Sequence, residues 1–265
     1  RFFSRLRLLD PQGRSGELHA GLLPAPFPKT KYIWDLVFDR TGTLYVATGD
    51  KGQIFAVSPD GKSEVFYASD EAHIRVLALA PSDSLLAGTE PSARILRIPL
   101  AAPNKSEERA AFVLYETSKR EITSLITSPD GTIYASAVGE KQKLPMPGIL
   151  PAAAQPVPTI APAGGISIAP TGVAQGGTTF VPFPAVLSSA IYRIAPDGAP
   201  DELWSSREEV VYSLGLNADG RLLAGTGNNG ALLTIDGRGV FAQLAKSGSS
   251  QITGIVRAAD GRVFI

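Results

Sequence analysis

Five times along the chain a β-branched aliphatic residue is followed three positions later by leucine or isoleucine, and six positions beyond that by a turn residue. The first column reads Ile33, Ile74, Ile122, Val211 and Ile252, and the second reads Leu36, Leu77, Leu125, Leu214 and Ile255. The turn column reads Gly42, Asp83, Gly131, Gly220 and Gly261. Between these columns lie short apolar runs broken by residues that accept turn conformations, a pattern that predicts β-strands. In the first unit the runs are "IWDLVFD", "TLYVATG", "QIFAVSP" and "EVFYAS", with breaks at Thr41-Gly42, Asp50-Lys51-Gly52 and Asp60-Gly61. The fourth run recurs as "FVLYET" (112–117), "DELWSS" (201–206) and "FAQLAK" (241–246), and its large residues Tyr67, Tyr115 and Trp204 are expected to cap an outer edge. No segment carries the 3.6-residue period of a long amphipathic helix.

The first column repeats at spacings of 41, 48, 89 and 41 residues, and leaving out residues 141–188 from the long interval restores 41. Four short strands per unit of this length predict an all-β propeller with about five visible blades. The blades are expected at 31–72, 73–120, 121–209 with the insertion 141–188, 210–250, and 251–265 in part. Residues 1–30 stand outside as an N-terminal segment, with "FSRLRLLD" and "ELHAGLL" as candidate closing strands of an earlier blade. An open array leaves apolar faces and strand edges uncovered, so the expectation is a fragment of a ring of six to eight blades.

The stretches "SPDG" (128–131), "LYVATGDKG" (44–52) and "LLAGTGNNG" (222–230) resemble blades of tryptophan–aspartate-repeat, YVTN-type and two-component-regulator propellers. The resemblance covers residues 31–265 apart from the insertion, and it implies a stiff scaffold offering one loop per blade to a common face. The Trp-Asp pair of the first of these families is replaced by "AV", "RI", "RI" and "TI", so no subfamily is assigned.

Residues 225–230, "GTGNNG", match a nucleotide-binding glycine pattern. A phosphate loop needs a helix opening after it to supply N–H donors. Here the next residues are "ALLTIDG", a β run, and Asn229-Gly230 is a favoured hairpin pair. The reading is a hairpin turn.

Composition narrows the function classes. Lys+Arg and Asp+Glu both number 25, so net charge gives no reason to expect nucleic acid or an anionic membrane as partner. There is no apolar run of about 18 residues, hence no spanning helix is expected. Cysteine is absent, which removes disulfides and sulfur-ligated zinc and suits either redox compartment. The compartment stays open, with a leaning to periplasmic or secreted. The histidines are His19 and His73, and neither lies in a hydrolase motif.

The primary functional expectation is therefore a non-catalytic platform that binds a protein or small ligand, with no cofactor and no metal. First-strand positions Tyr32, Trp34, Asp35, His73, Arg75, Glu121 and Tyr212 are candidates to face the channel or its rim. Lactonase-like propellers, by resemblance, place metal-binding acids on such a ring, which makes Glu121, Asp35 and His73 the ligands in an alternative enzyme reading. A sensor propeller is a further alternative. Candidate partner loops hold Asp50, Lys51, Glu90, Asn228 and Asn229. The insertion carries nine prolines and six glycines, and it adds Phe180 and Phe183 as contacts of a docking arm.

Overall fold

The computed structural model describes residues 30–101, 109–141 and 188–265, together with the backbone of two strands nearer the N-terminus. Contacts divide the chain into a body of Arg1–Lys141 and Val186–Ile265 and a second unit, Gln142–Ala185, which lies outside the described residues with Phe180 and Phe183. Among the described residues there is no helix, so none is long and apolar enough to cross a membrane.

β1 (Arg5–Leu9) and β2 (Ser15–His19) form an antiparallel pair. Four antiparallel four-stranded meanders follow. The first is β3 (Ile33–Phe38), β4 (Leu44–Thr48), β5 (Gln53–Val57) and β6 (Ser63–Ala68). The second is β7 (His73–Ala80), β8 (Ser84–Glu90), β9 (Arg94–Pro99) and β10 (Phe112–Glu116). The third is β11 (Lys119–Thr127), β12 (Ile133–Glu140), β13 (Ser189–Ile194) and β14 (Pro200–Ser206), with the insertion between β12 and β13. The fourth is β15 (Val211–Leu216), β16 (Leu222–Thr226), β17 (Ala231–Gly237) and β18 (Val240–Lys246). The pair β19 (Val256–Arg257) and β20 (Val263–Phe264) begins a fifth. The first strands of consecutive blades lie against one another, as the inner strands of a propeller do.

One turn is built six times. The N–H of Gly42, Gly61, Gly131, Gly198, Gly220 and Gly261 donates to the carbonyl three residues before it. Each of these glycines has φ between +77° and +91°, where a side chain is strained. In the second blade the same column holds Asp83 at φ +49°, a residue type that tolerates left-handed backbone. The "GTGNNG" segment is likewise a turn, joining β16 to β17, with Asn228 at φ +66° and Gly230 at +59°. A Cβ on Gly230 would strike the Ser249 carbonyl, so this turn lies flush on the approach to the next blade.

The core consists of slabs between neighbouring sheets. Ile54, Leu85 and Ile98 pack between the first two blades, Ile95, Ile133 and Ile194 between the next two, and Ile191, Trp204 and Leu233 beyond. Tyr67, Tyr115 and Trp204 turn into these slabs and do not cap an edge, because there they bury large apolar surface. Fit between blades comes from size. β4, β8, β12 and β16 carry the column Ala47, Gly88, Ser136 and Gly225, and at the two glycines the next blade's isoleucine sits over it. A Cβ on Gly88 would collide with Ile122, and one on Gly225 with Ile252. The isoleucine column is fully buried at Ile74, Ile122 and Val211, whereas Ile33 is 47% exposed.

Candidate functional site

A bulge recurs in every complete inner strand. Pairing with the second strand slips between Ile33 and Asp35, Ile74 and Val76, Ile122 and Ser124, and Val211 and Ser213. An extra residue in one strand re-aims its side chain and shifts the phase of the strand beyond it. Here the isoleucine before the bulge and the leucine after it share one buried face, three residues apart, as Ile74 and Leu77 do. The bulged residues are Trp34, Arg75, Thr123 and Tyr212. All four line one cleft of about 320 Å³ with Glu121, Ile122, Val138 and Val210.

Within it, Arg75 is held from two sides. Its guanidinium carbon lies 3.7 Å from the Trp34 ring centre, and its Nε and Nη2 lie 2.6 and 2.5 Å from Glu121 Oε1. Glu90 approaches Arg75 at 3.7 Å and Arg120 at 3.3 Å, so two guanidinium groups are matched by two carboxylates. Tyr32 stacks on Trp34 at 5.1 Å and 14°. A ring and a guanidinium this close overlap if placed on one face, so the indole lies between them. His73 Nδ1 accepts from Trp34 Nε1 and from the Asp50 N–H, each at 3.3 Å.

Glycines let the aromatic residues lie close to the backbone. A Cβ on Gly49 would meet Trp34 and His73, and one on Gly227 would meet the Tyr212 ring. Glu90 and Val138 hold the equivalent column in the other two blades, which opens the cleft wall to charge in one and apolar surface in the other.

Asp35 belongs elsewhere. The bulge at Trp34 turns the Asp35 carboxylate toward the second blade, where Oδ2 accepts from the Leu77 N–H at 2.7 Å and Oδ1 from the Leu36 N–H at 2.8 Å. Burial pushes this carboxyl above the usual carboxylate range, against the pull of the Leu77 and Leu36 amides. It links blades and does not line the channel. Ser124 does the same in the third blade, accepting from the Leu214 N–H at 3.1 Å.

The candidate loop residues divide. Glu90 is drawn into the Arg75–Arg120 network and is not a free loop group. Asp50 pairs with Lys31 at 3.4 Å beside an exposed Lys51. Asn228 donates to the Glu208 carbonyl and Asn229 to Glu209 Oε1, so both tie their turn to the β14–β15 connection. Thr123 and Val138 line the cleft beyond the candidate residues, and Arg120 is tied to it through Glu90. The signal was available: two core columns three residues apart cannot share a face of a regular strand, and that spacing betrays the bulge.

Among the described residues no three His, Asp or Glu side chains come together as a metal-holding group. Asp35 is committed to backbone amides, Glu121 to Arg75, and His73 Nδ1 to two N–H donors. Glu121, Asp35 and His73 thus do not form a ligand set.

No protein-family model matches the chain, and no curated protein matches it by sequence. Solved structures do. A virginiamycin B lyase from Staphylococcus aureus with quinupristin is similar with a TM-score of 0.58 at 14% identity, over 98% of this chain and 65% of that one. A streptogramin B lyase gives 0.59 at 10%, over 88% and 61%. A gluconolactonase from Xanthomonas campestris gives 0.53 at 14%, over 87% and 69%. This chain therefore spans about two thirds of the length of such structures. At these identities the likeness is one of fold, and the fold is a β-propeller.

Proposed function

We propose that the protein is a non-catalytic binding propeller that takes a small ligand in the cleft between its inner strands. The observation that carries this reading is the projection of Trp34, Arg75, Thr123 and Tyr212 from four consecutive blades onto one cavity, each at the same bulged position. Such a site is pre-formed. Arg75 is clamped by Trp34 and Glu121 before any ligand arrives, which lowers the ordering cost of binding. The turns carrying Asp50-Lys51 and Asn228-Asn229 border the same cleft through Trp34 and Tyr212, and in this reading they form its rim.

A ligand-observed NMR screen of a fragment library against wild type and Tyr212→Ala tests it. Binders present with wild type and lost with the variant, at unchanged circular dichroism, are the expected result. No binder that depends on Tyr212 would overturn it.

The fold neighbours named lactonase and lyase favour a second reading, an enzyme acting in the same cleft. In that case a lactone is hydrolysed by wild type and spared by Glu121→Gln. Among the described residues Glu121, Asp35 and His73 are each committed to other partners and make no ligand set for a channel metal.

A further inference from the structure

We infer that the cleft recognises an uncharged polyhydroxylated ligand, a sugar ring or a close analogue, a conclusion that rests on the binding reading above. Every ionised group at the cleft has a counterpart: Arg75 lies 2.5 Å from Glu121, and Glu90 lies 3.7 Å from Arg75 and 3.3 Å from Arg120. His73 Nδ1 is taken up by the Trp34 and Asp50 N–H groups. An anionic ligand on Arg75 would sit beside the Glu121 and Glu90 carboxylates, and a cationic one on Glu121 would sit beside the Arg75 guanidinium. In either case the like charge next to it offsets the attraction, so a net charge gains little.

The unused valences define what is wanted instead. Arg75 commits Nε and Nη2 to a single oxygen of Glu121. Among the described residues Arg75 Nη1 and Glu121 Oε2 have no hydrogen-bond partner, and neither atom is sealed from solvent. The cleft thus offers one strong donor and one strong acceptor from the two members of a single ion pair. A purely apolar ligand would cover both and leave them unpaired, a penalised state.

Adjacent hydroxyl groups serve both. Each hydroxyl accepts and donates, so one takes the Arg75 proton while its neighbour donates to Glu121. Of the remaining lining, Tyr212 and Thr123 are half-buried while Ile122, Val138 and Val210 are buried, so the Tyr212 ring is the surface suited to the C–H face of a saturated ring. At about 320 Å³ the cavity lies at the lower end of ligand pockets, about 300–1,000 Å³, which suits one or two rings. Trp34 also lines the cleft, but with Tyr32 and Arg75 on its faces it acts as a positioning residue for Arg75 and offers no free face for stacking.

Titration calorimetry with methyl glucoside, methyl galactoside, methyl mannoside, maltose, glucuronate and glucosamine decides the matter. At least one of the four neutral sugars binds the wild-type chain, about tenfold or more tightly than glucuronate or glucosamine. Arg75→Lys and Glu121→Gln each weaken that sugar about tenfold or more, the scale of one charged hydrogen bond. Melting curves of both variants show whether the fold persists, and Trp34→Phe, which leaves donor and acceptor in place, separates loss of alignment from loss of the pair. If a charged sugar binds as tightly as the neutral ones, the inference fails. It also fails if no sugar binds while Tyr212-dependent fragments do, and then the binding reading survives. If neither sugars nor fragments bind, both readings fall.

Discussion

At the scale of single residues, the turn positions are where sequence and conformation correspond most directly. Asp130 is a case with a pH signature. The Ser128 hydroxyl, then the Thr132 N–H and hydroxyl, donate to its carboxylate and hold it below the ordinary value of 3.8. A carboxyl whose folded pKa is depressed contributes stability in full above its unfolded value and loses it as pH falls through the folded one. Wild type is therefore expected to exceed Asp130→Asn in stability at pH 7, with the gap closing below about pH 4, as urea titrations across that range will read. Asp35 runs the other way: burial raises its carboxyl, so ionisation as pH rises opposes folding. The turns were legible because an Asp-Gly or Thr-Gly pair specifies its backbone almost alone. The role of Asp35 was not, because its partner Leu77 is 42 residues away.

At the scale of elements, the strands were legible from their short apolar runs and their breaks, and the β16–β17 hairpin from Asn229-Gly230. The inner-strand bulge was written in the three-residue spacing of the core columns but not extracted from it. A strand read without the bulge sets Asp35 among the channel residues, although its carboxylate reaches the second blade. Blade-to-blade fit depends on the small column, and it gives a paired prediction. Gly88→Ala forces a methyl group into Ile122 and is expected to cost about 1–3 kcal/mol. Adding Ile122→Val restores part of the loss, so a double-mutant cycle by chemical denaturation shows a non-additive pair.

At the scale of the whole molecule, position in the array outweighs residue type. Ile33 and Ile122 hold the same column, yet Ile33 is 47% exposed and Ile122 fully buried. Ile122→Ala is expected to cost about 2–5 kcal/mol and Ile33→Ala under about 1, measured by the same urea transitions. The propeller itself was visible in the repeat, since a period of 41 residues survives removal of the insertion. The cleft was only half visible: the columns brought Trp34, Arg75, Glu121 and Tyr212 together on paper, but how Glu90, Arg120 and Trp34 fix Arg75 depends on side-chain angles that no column encodes.

The inner-strand bulge has a consequence for how such a chain can change over time. It sets a single side chain apart in each blade, outside the interlocking Ile and Leu columns, so that indole, guanidinium, hydroxyl and phenol occupy equivalent places in successive modules. A lineage can rewrite its chemical preference one module at a time at these four places, while the surrounding architecture is inherited intact.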